Sequence, residues 1–158
     1  ASDPSAITTT HLENLTAPGD TVLGPVVPGS QRYCQVHYLV GPAEDGAVGL
    51  PGEPDLMDAS LYLEGAWGPP GAAPTTPFVI WSSLPMGAQL PLISPDAHGE
   101  EDAAFALDTG VSSATVTIER DLGGLFDGVD FEAMDELGIQ KKILQSATAH
   151  LEITVERH

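Results

Sequence analysis

The sequence predicts an all-β protein: a single jelly roll or antiparallel β-sandwich of about eight strands, with one short helix near residues 130–137. Three observations carry this expectation. Gly and Pro supply 17 and 14 of the 158 residues and recur every few positions, a punctuation that interrupts helices and favours short strands. Between these breaks sit runs rich in β-branched and aromatic residues. The clearest runs alternate apolar and polar side chains with the period of two that leaves one face dry and the other wet.

In chain order, the candidate strands cover residues 21–27, 32–40, 60–64, 78–83, 89–93, 103–107, 112–120 and 148–157. In 32–40, Cys34, Val36, Tyr38 and Val40 form one stripe. Residues 78–81 are continuously apolar, which predicts a central strand with Trp81 in the core. In 112–120, Ala114, Val116 and Ile118 oppose Ser113, Thr115, Thr117 and Glu119, and near the end Leu151, Ile153 and Val155 oppose Glu152, Thr154 and Glu156. The helix over 130–137 follows from Phe131 and Met134 three apart, Asp130 as N-cap and Gly138 as C-cap, while its continuation through 139–145 stays open. Residues 1–20 read as an extended N-terminal arm and 21–158 as the single domain. The Pro-rich stretches 41–54 and 65–77 read as long loops of the kind that contact other chains. Trp67, with Pro69 and Pro70 beside it and Pro51 and Pro54 on the other loop, marks the expected interface; Trp67 itself reads as an anchor between subunits or within one.

Against 23 Asp and Glu stand 5 Lys and Arg, a formal charge of −18. At ~0.1 M salt the Debye length is about 10 Å, so carboxylates spread over a small domain repel one another and oppose folding. At ~1 M it shrinks to about 3 Å and the repulsion fades. A carboxylate-rich, lysine-poor surface therefore suits brine, and the chain reads as a halophile's protein. Leu, Ile, Val and Phe make up about a quarter of it, above the ~20% level below which charged chains stay disordered. Direct binding to nucleic-acid phosphates is excluded on the same count, because five scattered basic residues cannot displace enough counterions. With one cysteine, Cys34, an internal disulfide is impossible, and its apolar neighbours predict a packed side chain. No run approaches 18 apolar residues, and no basic-then-apolar start resembles a signal peptide, so a chain made in a high-salt cytoplasm is expected.

Chemistry leaves few traces. The histidines His11, His37, His98, His150 and His158 lack zinc-site spacing, and neither GxSxG, GxGxxG nor GxxxxGK[ST] occurs. His98, Glu100 and Asp102 form the most ligand-like loop. Asp121, Asp127, Asp130 and Glu132 lie among glycines without the order of an EF-hand. In so acidic a chain carboxylates fall near one another by composition alone, so no catalytic residue, metal or cofactor is expected, and the chain does not read as an enzyme.

The strand pattern from Thr21-Val22-Leu23 to Leu151-Glu152-Ile153-Thr154-Val155, together with the acidic composition, resembles the small single-jelly-roll capsid proteins of halophilic archaeal icosahedral viruses with an internal membrane. The resemblance covers the whole chain. It implies a virion protein, a penton or minor capsid component, that joins other capsid subunits as a homo-oligomer, with the pentamer of the fivefold vertex the nearest match. Rings of such acidic subunits need salt to screen them, so shells built from the chain are expected to dissociate as salt falls. The rival expectation is a halophilic enzyme or a small-molecule or metal-binding β-domain, with a cation at His98, Glu100 and Asp102.

Overall fold

Period-two alternation turns into a long antiparallel ribbon. In the computed structural model, which describes residues 4–17, 19–29, 32–92, 105–106 and 113–158, the elements are β1 (Arg32–Tyr33), β2 (Gln35–Val40), β3 (Leu61–Trp67), β4 (Thr76–Ser82), β5 (Met86–Pro91), β6 (Phe105–Ala106), β7 (Ala114–Arg120), α1 (Glu136–Ala149) and β8 (Leu151–Arg157). Pairing is antiparallel throughout and nested: β1 with β6, β2 with β5, β3 with β4, and separately β7 with β8. The described strands thus make four two-stranded sheets, an all-β architecture with one helix.

One strand of the ribbon holds its alternation from β4 through β5. Phe78, Ile80, Ser82, Leu84, Met86, Ala88, Leu90 and Leu92 point inward, whereas the odd positions from Pro77 to Pro91 are exposed. The apolar run 78–81 is therefore not a central strand. Val79 is 61% and Trp81 39% exposed, because a strand pleat sends neighbours to opposite faces whatever their polarity. Trp81 lies opposite Tyr62, outside the core. Cys34 is exposed too, contrary to its apolar neighbourhood, since it falls in the break between β1 and β2, where its carbonyl accepts from the Leu92 N–H at 2.8 Å.

The core sits between the inner face of β3 and β4 and the helix. Leu61, Ile80, Leu125, Ile139, Ile143, Leu144 and Ala147 form it, with Phe78, Leu122, Val129, Phe131 and Met134 packed around. Ile139, Ile143, Leu144 and Ala147 recur at 0, 4, 5 and 8 along α1, the stripe a helix must carry to bury one side. That stripe is longer than the Phe131/Met134 pair, so the helix forms at 136–149 and not at 130–137. Asp130 does cap, accepting the Glu132 and Ala133 N–H at 2.9 and 3.0 Å, but the turn it starts ends by Met134. Asp135 then becomes the N-cap, its Oδ1 accepting from the Gly138 N–H at 2.8 Å. Gly138, expected as a C-cap, sits in the first turn, where a Cβ would lie 2.8 Å from that same oxygen.

Residues 21–27 form no strand: Gly24 has φ +116° and Val22 and Val27 are each 84% exposed. The preceding arm is tied down. His11 bridges Val48 in parallel, Leu12 N–H donates to the Val48 carbonyl at 2.8 Å, and Glu13 pairs with Arg120. Arg120, whose guanidinium lies 5.8 Å from the centre of the Tyr38 ring, joins this arm and β7 to β2.

Candidate assembly surface

Of the expected interface residues, Trp67, Pro69 and Pro70 share the tip of the β3–β4 hairpin, and Pro51 and Pro54 lie on the loop that enters β3 at its other end. Seven residues at ~3.3 Å each separate these ends by roughly 20 Å, so the two groups leave the sheet in different places. Trp67 is engaged internally. Its ring stacks on Phe131 with centroids 5.7 Å apart and planes 10° from parallel, within a cluster that includes Phe78 and Phe126. Gly65 makes room for that cluster, since a Cβ there would lie 3.0 Å from Phe78 Cζ directly across the ladder. What the hairpin tip offers outward is Pro69 and Pro70, both exposed, in a turn closed by Ala72 N–H on the Pro69 carbonyl. Pro51 and Pro54 are likewise exposed.

Sequence reasoning missed a larger surface, the outer face of the ribbon. Glu64, Val79 and Trp81 on one sheet and His37, Leu39, Gly87 and Gln89 on the other are exposed, with Tyr62 half-buried beside them, and Glu64 is the only acid among them. Tyr62 holds that carboxylate, its O–H donating to Glu64 Oε2 at 2.9 Å; the bond, with the charge beside it, raises the phenol's pKa. Leu39, 74% exposed, lies across Gly87, where a Cβ would come within 2.7 Å of Leu39 Cδ2. Around this contact is an open depression of about 360 Å³ lined by His37, Leu39, Gly87, Ala88 and Gln89. The odd-numbered apolar residues of 77–91 were the available signal, hidden because the even ones are apolar too.

The opposite chemistry covers the rest. Every acidic side chain among the described residues is exposed except Glu13. On β7 and β8 the outward residues are Thr115, Thr117, Glu119, Glu152, Thr154 and Glu156, with Glu119 opposite Glu152. Asp121 and Asp130 spend their oxygens on local backbone N–H groups, and among the described residues no three His, Cys, Asp or Glu gather as a metal site would require. His98, Glu100 and Asp102 lie outside the described residues. No described helix is long and apolar enough to cross a membrane. No family model, curated protein or solved structure matches the chain.

Proposed function

We propose that this chain is a structural subunit of a virion, a single-jelly-roll capsid protein of a halophilic virus, in the role of penton or minor capsid component. It assembles with copies of itself and with other capsid subunits through strand edges and loops. The observation that carries the reading is the contrast between surfaces. A chain of charge −18 keeps the outer faces of two neighbouring two-stranded sheets almost free of carboxylates, with Leu39 exposed on the β2–β5 pair and Val79 and Trp81 on the β3–β4 pair. Contiguous exposed apolar surface marks contact sites, and two copies of so acidic a chain meet with least repulsion where neither carries charge. The nested order β1–β6, β2–β5, β3–β4 adds support, since a jelly roll is an antiparallel ribbon of nested pairs rolled on itself. The Pro-stiffened loops bearing Pro51, Pro54, Pro69 and Pro70 supply further contacts by shape.

Light scattering in multimolar salt tests it. A discrete oligomer at ~3 M salt that falls to the 16.4 kDa monomer near ~0.1 M supports the proposal, because the Debye length triples over that range and more. A chain that stays monomeric at both concentrations contradicts it.

A further inference from the structure

We propose that residues 21–27 of one molecule add as a strand to the free edge of β2 in a second molecule of the same chain. The inference deepens, and rests on, the reading of the chain as a self-assembling subunit.

The donor is a segment with strand chemistry and no strand partner. Its sequence, Thr-Val-Leu-Gly-Pro-Val-Val, is β-branched and uncharged. Val22 and Val27 are each 84% exposed, and among the described residues no hydrogen bond engages residues 21–28. Both flanks are held: the bridge of His11 to Val48 and the Glu13–Arg120 pair precede it, and β1 follows. The segment is thus presented on the surface without being free to wander, which lowers the entropy cost of docking.

The acceptor's backbone phase is set by one bond. Leu92 N–H donates to the Cys34 carbonyl, so Cys34, Val36, Tyr38 and Val40 bond toward β5 and its continuation. The N–H and C=O groups of Gln35, His37 and Leu39 point the other way, and among the described residues nothing pairs with them. β5 also lies near β8, and among the described residues no strand other than β5 pairs with β2. An open edge is a template for another strand.

Pro25 fixes the register. It has no N–H, so it must face away from the acceptor, and the bonding residues are then Val22, Gly24 and Val26. Gly24 bends the segment at φ +116° in the single molecule, and a glycine there straightens at little cost. A second copy is the occupant because donor and acceptor both lack carboxylates in a chain that is otherwise strongly anionic. The two surfaces differ, so the contact is head to tail, and head-to-tail contacts close into rings when the rotation allows.

Two proline variants at equally exposed positions separate the possibilities. Val22→Pro removes a bonding N–H; Val27→Pro alters a residue of the opposite parity. Neither position has a hydrogen bond to lose, so both chains fold. At ~3 M salt, wild type and Val27→Pro are expected to share one oligomeric mass, Val22→Pro to fall to the 16.4 kDa monomer, and the His37 and Leu39 amides to exchange slowly only in the oligomers. Both variants remaining assembled, with His37 and Leu39 exchanging freely, overturns the inference and leaves the subunit reading standing. Both variants dissociating overturns the register. A monomeric wild type overturns the inference and the subunit reading together.

Discussion

Glu119 and Glu152 face each other across the β7–β8 ladder, both exposed, and this pair gives the sharpest test of how salt acts on the fold. Directly opposed side chains have Cβ atoms ~5 Å apart, and like charges there destabilise a sheet. Two carboxylates splayed to ~6 Å repel by ~0.7 kcal/mol in the dielectric of water. Screening with a Debye length of ~10 Å at ~0.1 M leaves ~0.4 kcal/mol; at ~1 M, with ~3 Å, only ~0.1 kcal/mol survives. Glu152→Gln keeps the shape and removes the charge. It is expected to raise the unfolding free energy by about 0.4 kcal/mol or somewhat more at ~0.1 M, and by nothing measurable at multimolar salt. Urea unfolding at both salts, combined in a cycle with Glu119→Gln, isolates the pair from the general field of the other carboxylates. A coupling energy that is zero at low salt, or the same at both salts, would refute the reasoning.

Three further outcomes follow from the packing. Ile143→Ala, at a fully buried position on α1, is expected to cost about 2–5 kcal/mol, against less than ~0.5 kcal/mol for Val79→Ala on the exposed face; similar shifts in the denaturant midpoint for both would show that the helix is not central to the core. Asp135→Ala removes the N-cap acceptor and should cost about 1 kcal/mol, with Asp135→Asn retaining most of the stability. Burial raises the pKa of the Tyr38 phenol above the ordinary value near 10. A folded-state pKa raised in this way contributes stability that is complete below the unfolded value and is lost as pH climbs through the folded one. Ultraviolet titration should accordingly show late-ionising tyrosines, Tyr62 among them, with one fewer in Tyr38→Phe; ionisation of the Tyr38 phenol at the ordinary value would contradict its burial.

Much of the fold was legible because strands with one wet face write their period into the sequence. Leu151, Ile153 and Val155, and Val36, Tyr38 and Val40, took the faces that alternation assigned. Where both faces were apolar, as over 78–81, period alone could not separate a buried strand from a half-exposed one, and Trp81 went outward with the odd positions. The helix was displaced because the cap at Asp130 is a strong local signal, whereas the stripe of Ile139, Ile143, Leu144 and Ala147 becomes decisive only against the β3–β4 sheet. Residues 21–27 carry the propensity of a strand without a partner in the same molecule, and propensity is a statement about fit to a neighbour. Trp67 was legible as an anchor, but its partner Phe131, 64 positions away, was not. The acid-poor outer face emerged only once two separated strands lay side by side.

The claim on which the rest depends is that the exposed carboxylates are tolerable only when screened. Unfolding free energy measured on the purified chain from ~0.1 M to ~3 M salt addresses it directly. The account predicts a steep rise up to ~1 M, where the Debye length falls from ~10 to ~3 Å, and a shallower course beyond. Stability that is flat across that range, or that falls as salt is added, would contradict it.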